Sequence, residues 1–271
     1  MPNAARESGE LSGLLQGHLG EVRISPARSR DHLEEAYKLV YLNYVRRGYI
    51  PENPSEMRFT IFNAFPNTVT FVADLHEKLV ATVTLVDDTP AGLPMDEIYH
   101  EELQTLRDQG RHVTEVTMLA DRRLSVSRSF FMLIRLMKLV FDYATLYLNA
   151  SDLCITVNPH HDRFYQDYLL FTPMGGLRAY PSVANNPALA RRLDLNGVRE
   201  ICREHANLLS HFYEDRTPVQ EFEERFKMSE EDLRYFYTKQ SDVLAEAPEY
   251  IVRHLRGIYP LMDWAQIRKK T

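Results

Sequence analysis

The sequence predicts a mixed α/β (α+β) fold: a twisted, splayed β-sheet flanked by helices, followed by an α-helical C-terminal extension. Three observations carry this. A β-branched, alternating pair of segments at 68–74 and 79–86 flanks a polar turn, His76-Glu77-Lys78, and reads as a hairpin. Residues 112–157 read as long strand, basic turn, apolar helix and second strand, the order of a right-handed crossover between neighbouring strands. From Pro187 onward no strand pattern stands out and helical spacing dominates.

The elements follow in order. Residues 1–20 are polar with scattered leucines and read as a flexible leader, lacking the basic start and apolar run of a signal peptide. Residues 21–25 make a short first strand. Asp31 reads as an N-cap with Glu34 as capping-box partner. Leu33, Ala36, Tyr37, Val40, Tyr41, Tyr44 and Val45 then form one helical stripe that stops near Gly48. Its tyrosines suit core packing or a pocket wall, with Tyr41 and Tyr44 as candidate substrate contacts. The Phe-rich stretch 57–66 shows no clear pattern. A helix is expected over 96–109, closed by Gly110. In the strand 112–120, alternation puts Val113, Glu115, Thr117 and Leu119 on one face, and Thr114, Val116, Met118 and Ala120 on the other.

The helix over 129–149 keeps Arg128, Arg135, Lys138, Asp142, Thr145 and Asn149 on one narrow polar stripe, so it should lie flat on the sheet. The apolar run 153–157 suits a strand covered on both faces. Asn158-Pro159 breaks it, a short helix spans 161–170, and 171–183 holds one or two terminal strands around Gly175-Gly176. Helices are expected over 189–213, 219–226, 229–244 (with a Ser229/Asp232 capping box) and 250–258. The expected organisation is a leader at 1–20, a core at 21–186, and a helical extension at 187–271, packed over the core or serving a partner.

Composition narrows the function. The chain has 271 residues, 44% hydrophobic and 26% charged, with net charge −6, which disfavours a general nucleic-acid binder. Cys154 and Cys202 offer no disulfide framework and suit a reducing compartment, so a cytoplasmic location is expected. No zinc-type spacing occurs; His160-His161 reads as a loop or helix start, and no metal is expected. The apolar segment 130–148 is broken by Arg135, Lys138 and Asp142, unlike a membrane span.

Glu115 is the residue out of place, a carboxylate inside a core strand. It reads either as a salt-bridged or edge-exposed group, or as a general base whose pKa is raised by partial burial. Arg122, Arg123 and Arg128 sit where this strand enters a helix and read as a solvated turn or as an anion site. The two features suit a thioester carried on a phosphorylated arm, attacked by an amine.

The run Gly110-Arg111-His112-Val113-Thr114-Glu115-Val116-Thr117-Met118-Leu119-Ala120, then Asn158-Pro159-His160, Arg163-Phe164-Tyr165, Phe171, Gly175 and Tyr180-Pro181, resembles the GNAT acyltransferase superfamily. Within it the closer likeness is to FeeM-type long-chain N-acyl amino acid synthases and their relatives, the acyl-homoserine-lactone synthases. The resemblance covers about residues 21–186. It implies transfer of a fatty acyl group from acyl carrier protein to the α-amine of an amino acid, with no permanently bound cofactor.

Glu115 would be the base, directly or through water. Thr117 would lie near the acyl carbonyl, and Tyr165 (with Tyr168 competing) would be the acid for the leaving thiolate. The backbone of Met118, Leu119 and Ala120 and the side chains of Arg122, Arg123 and Arg128 would hold the acyl-phosphopantetheine arm. Tyr41, Tyr44, Phe131 and Asn158 would contact substrate, and residues 130–147 with the tyrosines of the first helix would help line an acyl tunnel. The glycines of the family's coenzyme-A pyrophosphate loop are missing between Arg123 and Arg128, which favours carrier protein over acyl-CoA. Met118 stands where the lactone synthases carry an arginine, which counts against lactone synthesis. Arg46, Arg47 and Arg58 are candidates for the acceptor carboxylate. A lactone synthase, another GNAT transferase using acyl-CoA, and a non-catalytic carrier-docking module are the alternatives. Homo-oligomerisation through the C-terminal helices is a further possibility.

Overall fold

The computed structural model describes residues 22–122, 126–204, 212–213 and 215–264, the side chains of 126–129 and 203–204 excepted. The expected leader lies outside these residues. The strands are β1 (Val22–Pro26), β2 (Val69–Leu75), β3 (Lys78–Asp87), β4 (Val113–Asp121), β5 (Asp152–Val157), β6 (Thr172–Tyr180) and β7 (Asn186–Asp194). They form one mixed sheet in the order β1-β2-β3-β4-β5-β7-β6. Only β4 and β5 pair in parallel; the other neighbours are antiparallel. The β2–β3 hairpin turns through His76 and Glu77, both at positive φ (50° and 60°), as a two-residue primed turn requires.

The two faces are covered by different helices. Helix α3 (Val126–Asp142) packs Met132, Leu136 and Val140 against Phe71, Val83 and Leu85 on one face. On the other face, α1 (Arg30–Arg46) lays Leu33, Ala36 and Val40 over Val72 and Leu79. Next to it, α2 (Asp96–Asp108) packs Tyr99 and Leu103 against Val86 and Val113. Helix α4 (Asp162–Leu169) connects β5 to β6. The cap of α1 is Ser29, whose Oγ accepts from the His32 amide at 3.2 Å, not the expected Asp31.

The expected alternation of β4 fails past Thr117. Met118 adopts φ +52° and the β3–β4 register slips between Thr82 and Thr84, a β-bulge. Val116 therefore faces α3, whereas Met118 and Ala120 join the α1 side. The expected helix from 189 is also corrected. Residues 186–194 are β7, inserted between β5 and β6, and a helix, α5 (Leu195–Glu204), begins only after it. The boundary drawn at 186 thus cuts a strand. The strand-forming residues Arg191 and Arg192 are neutralised by Asp162 and Asp152, partners distant in sequence.

The C-terminal helices α6 (Val219–Glu223), α7 (Glu230–Arg234), α8 (Val243–Glu246) and α9 (Glu249–Ile258) lie over the core. The expected Ser229/Asp232 capping box starts α7. Leu233, Phe236, Tyr237, Leu244, Leu255 and Tyr259 share one apolar cluster with α1 and the connection 57–65. The hydroxyls of Tyr237 and Tyr259 donate to the carbonyls of Thr60 (2.8 Å) and Ala64 (2.7 Å).

The polar stripe of α3 is also covered. Asp142 is fully buried and receives Lys138, the Thr217 amide (2.9 Å) and the Thr217 hydroxyl (2.7 Å), with Arg216 alongside at 2.7 Å. Removing this carboxylate strands two cations. Asp142→Ala should therefore lower the free energy of unfolding by about 3 kcal/mol. Urea titration measures this, and a loss below about 0.5 kcal/mol would assign Asp142 no such role.

Candidate active site

The parallel pairing of β4 with β5 runs from Val113–Asp152 to Val116–Ile155 and stops there, although both strands continue. Beyond that point the strands diverge, so the backbone of Thr117–Ala120 that would face β5 has no strand opposite. Such a notch offers unpaired N–H and C=O groups to an extended ligand. The left-handed residue Met118 sits inside it.

A cavity of about 920 Å³ opens at the notch. One wall is the β4 stretch Val116–Asp121, and another is Ile155–Asn158. Phe130, Leu133 and Leu136 of α3, with Phe164 and Tyr165 of α4, make an apolar arm. At the polar end stand Tyr44, Arg58, Glu97, Tyr180 and Ser182, with Arg47 and Tyr49. Val243, from the C-terminal helices, completes the wall.

Glu115 is fully buried behind this wall. It does not reach the cavity surface; its neighbours Val116 and Thr117, and Thr156 on β5, do. Its Oε2 accepts from the Met95 amide at 2.8 Å, at the start of α2, and its Oε1 has no hydrogen-bond partner. Neither a salt bridge nor an exposed edge accounts for it. Burial pushes its pKa up to about 8. The Met95 hydrogen bond opposes that rise, the charge of Asp96 adds to it, and the nearby Thr156 hydroxyl opposes it without hydrogen-bonding geometry to Oε1. A carboxyl poised there can exchange a proton near neutral pH.

Tyr165 is half-buried on the cavity wall, and desolvation of its hydroxyl lifts the pKa to about 12, keeping it protonated. Tyr168, the competing tyrosine, is 47% exposed and packs its ring on Phe130 and Phe164 instead. Burial also raises Tyr44, with the Arg58 charge pulling the other way. Tyr180 is raised by burial and by the charges of Glu115 and Glu97, and its hydroxyl donates to the Pro94 carbonyl at 3.0 Å.

The structure thus gathers Thr117, Tyr165, Met118, Leu119, Ala120, Tyr44 and Asn158 on one cavity, with Glu115 behind it. Asn158 also caps the turn after β5, accepting from the His160 amide. Other expected residues fall elsewhere. Tyr41 is a core residue whose hydroxyl accepts from the Asn53 amide, and Phe131 is buried off the cavity, under Arg135. Arg122 is exposed and donates to the Leu79 carbonyl at 2.6 Å, away from the cavity. Arg123 lies outside the described residues; Arg128 lies in α3 with its side chain undescribed. The anion site expected from these arginines is therefore not assembled by Arg122.

Sequence reasoning missed Thr156, and within the stretch 130–147 it singled out Phe131 where Phe130, Leu133 and Leu136 line the cavity. A three-residue spacing on α3 could have flagged the last three. Among the described residues, no group of three or more His, Cys, Asp and Glu side chains comes together as a metal site, and no helix is long and apolar enough to cross a membrane.

Comparison with known proteins bears on the family and the fold. The family model for N-acyl amino acid synthase FeeM matches residues 35–194. The structure of FeeM, an N-acyl amino acid synthase from uncultured soil microbes, superposes with a TM-score of 0.61 at 31% identity, over 72% of this chain and all of that one. The AHL synthase LasI (TM-score 0.51, 15% identity, 73% of this chain and 96% of its own) shares the fold. So does TofI, solved in a ternary complex with an inhibitor and MTA (0.53, 13%, 73% and 98%). No curated protein sequence matches.

The raised carboxyl makes a stability prediction. Glu115 keeps its proton in the folded chain up to about pH 8, whereas an unfolded carboxyl loses it near 4.5. Folded stability contributed by this group is therefore full below that lower value and falls with rising pH, by up to about 1.4 kcal/mol per pH unit. Glu115→Gln should be increasingly more stable than the wild type between pH 5.5 and 8 in urea titrations. Parallel stability curves would show that Glu115 ionises without cost.

Proposed function

The chain belongs to the N-acyl amino acid synthase FeeM family and is an acyltransferase, and from that premise we propose that it joins a long-chain fatty acyl group to the α-amine of an amino acid. The observation that carries this reading is one cavity with an apolar arm, a polar end, and a proton-exchanging carboxyl behind their junction. The proposed donor is the acyl-phosphopantetheine thioester of an acyl carrier protein. Its support is the glycine-free segment after β4, which offers no close backbone cradle for the pyrophosphate of coenzyme A. A cytoplasmic location supplies both substrates, and the two free cysteines suit it.

In this reading the acyl chain lies along Phe130, Leu133, Leu136 and Phe164, and its thioester sits in the notch beside Thr117. The ammonium of the acceptor loses a proton, through a water or the Thr156 hydroxyl, to ionised Glu115. The neutral amine then forms the new C–N bond at the carbonyl. Developing negative charge on the oxygen meets the unpaired N–H groups of the Met118–Ala120 backbone. The C–S bond breaks, the thiolate takes the Tyr165 proton, and the second proton of the attacking nitrogen passes through water to the tyrosinate, leaving a neutral amide and a free thiol.

The test is thiol release from long-chain acyl carrier protein with each amino acid, beside parallel reactions with acyl-CoA and with S-adenosylmethionine. Amino-acid-dependent release, faster from carrier protein than from acyl-CoA, is the expected outcome. Release requiring S-adenosylmethionine would make it a lactone synthase, and no release at all would leave a carrier-docking module. Glu115→Gln should cut turnover by roughly 100-fold or more, and Tyr165→Phe by a similar order. The wild-type rate should climb toward a plateau above pH 8, a limb that Glu115→Gln loses. A variant with wild-type rates at every pH removes its residue from the mechanism.

A further inference from the structure

The connection between α1 and β2, without clear pattern in the sequence, forms one side of the polar end through Arg58, Phe59, Thr60, Ile61 and Phe62. Arg58 is half-buried, and its Nε is buried with no hydrogen-bond partner. Among the described residues no carboxylate pairs with its guanidinium. The other cavity cation, Arg47, is exposed and stacks over the Tyr49 ring, at 6.0 Å from its centroid. The wall carboxylate Glu97 is held by the Ser182 amide (3.2 Å) and hydroxyl. A buried guanidinium donor facing a cavity without a counter-charge is costly until an anion supplies one.

The position of this cation relative to Glu115 is set by their shared neighbours. Tyr44 and Tyr180 both lie within the electrostatic reach of Arg58 and of Glu115. The cation and the carboxyl therefore both lie near the end of the cavity where Tyr44 and Tyr180 stand. An α-amino acid carries its two charged groups on one carbon and fits between such a pair, carboxylate toward the cation and ammonium toward the base.

The fold holds Arg58 in place. Its amide donates to the Tyr37 carbonyl at 3.0 Å. The next residue, Phe59, packs its ring against Tyr37, Phe236 and Tyr237 at centroid distances of 5.2, 5.6 and 5.1 Å. Tyr237 also binds the Thr60 carbonyl.

We propose that Arg58 is the binding residue for the acceptor's carboxylate, selecting α-amino acids over amines and neutral derivatives and turning their α-amine toward the thioester. This assignment rests on the synthase reading above. Guanidinium–carboxylate hydrogen bonds are the charge-assisted kind, and losing one costs roughly 10- to 100-fold in affinity.

The test compares an amino acid with its carboxamide as acceptors, using long-chain acyl carrier protein and thiol release. The wild type should prefer the amino acid by about 10-fold or more in kcat/KM. Arg58→Gln should raise KM for the amino acid by roughly 10- to 100-fold, leave KM for the acyl donor unchanged, and lose the preference for the free carboxylate. Arg58→Lys should restore part of that preference as a point charge. Its Tm checks that each variant is folded. A wild type that uses acid and carboxamide equally overturns the assignment without any variant, as does an Arg58→Gln enzyme that keeps the wild-type preference. No release with any acceptor would instead defeat the synthase reading, and the assignment with it.

Discussion

The structure depends on a pairing that ends early. Four residues of β4 match four of β5, and then two strands that both have length to spare part company. A fully zipped sheet would have satisfied the backbone of Thr117–Ala120 with ladder hydrogen bonds and left no opening. The bulge at Met118 turns β4 as it leaves. Helices on both faces keep the opened edge from collapsing, α3 from one side and α1 with the connection 57–65 from the other. The position of every candidate group, from Thr117 to Tyr165, follows from that divergence.

Much of the sheet was legible because its strands advertise themselves locally. The β2–β3 hairpin alternates β-branched residues about a short polar turn, and β5 is a short continuous apolar run. The strand β7 hides for the opposite reason. Its segment has Pro187 at its second position and carries Arg191 and Arg192, whose charges become tolerable only beside Asp162 and Asp152. No local pattern records a neutralisation supplied from 29 and 40 residues away. The bulge is equally silent, since Met118 is neither glycine nor asparagine and nothing in its side chain announces a positive φ.

The site was legible in its chemistry more than in its walls. Glu115 stood out because a carboxylate in a core strand conflicts with burial, and the structure keeps that conflict by leaving Oε1 unpaired. Helical walls were harder. Phe131 and Phe130 are equally apolar, and one residue of helix is about 100° of rotation, enough to exchange the cavity for the core. The arginines after β4 misled for another reason: Arg122 finds a backbone carbonyl of β3, a partner that only the folded edge presents. Arg58 stood in the sequence as one of three candidate arginines, and nothing local separated it from Arg46 and Arg47, because its distinction lies in the partner it lacks.

The C-terminal helices have a consequence for how the site comes into being. The matched family segment ends at residue 194, where the sheet ends. The hydrogen bonds that pin the wall around Arg58 join residues 177 and 195 positions apart, from Thr60 to Tyr237 and from Ala64 to Tyr259. Contacts of such separation carry the largest loop-closure entropy and form after local structure has prepared their ends. During synthesis the sheet and its notch are therefore complete before the wall that faces them is secured. The chain gains its scaffold early and its cavity late, and a ribosome must read past Tyr259 before the two meet.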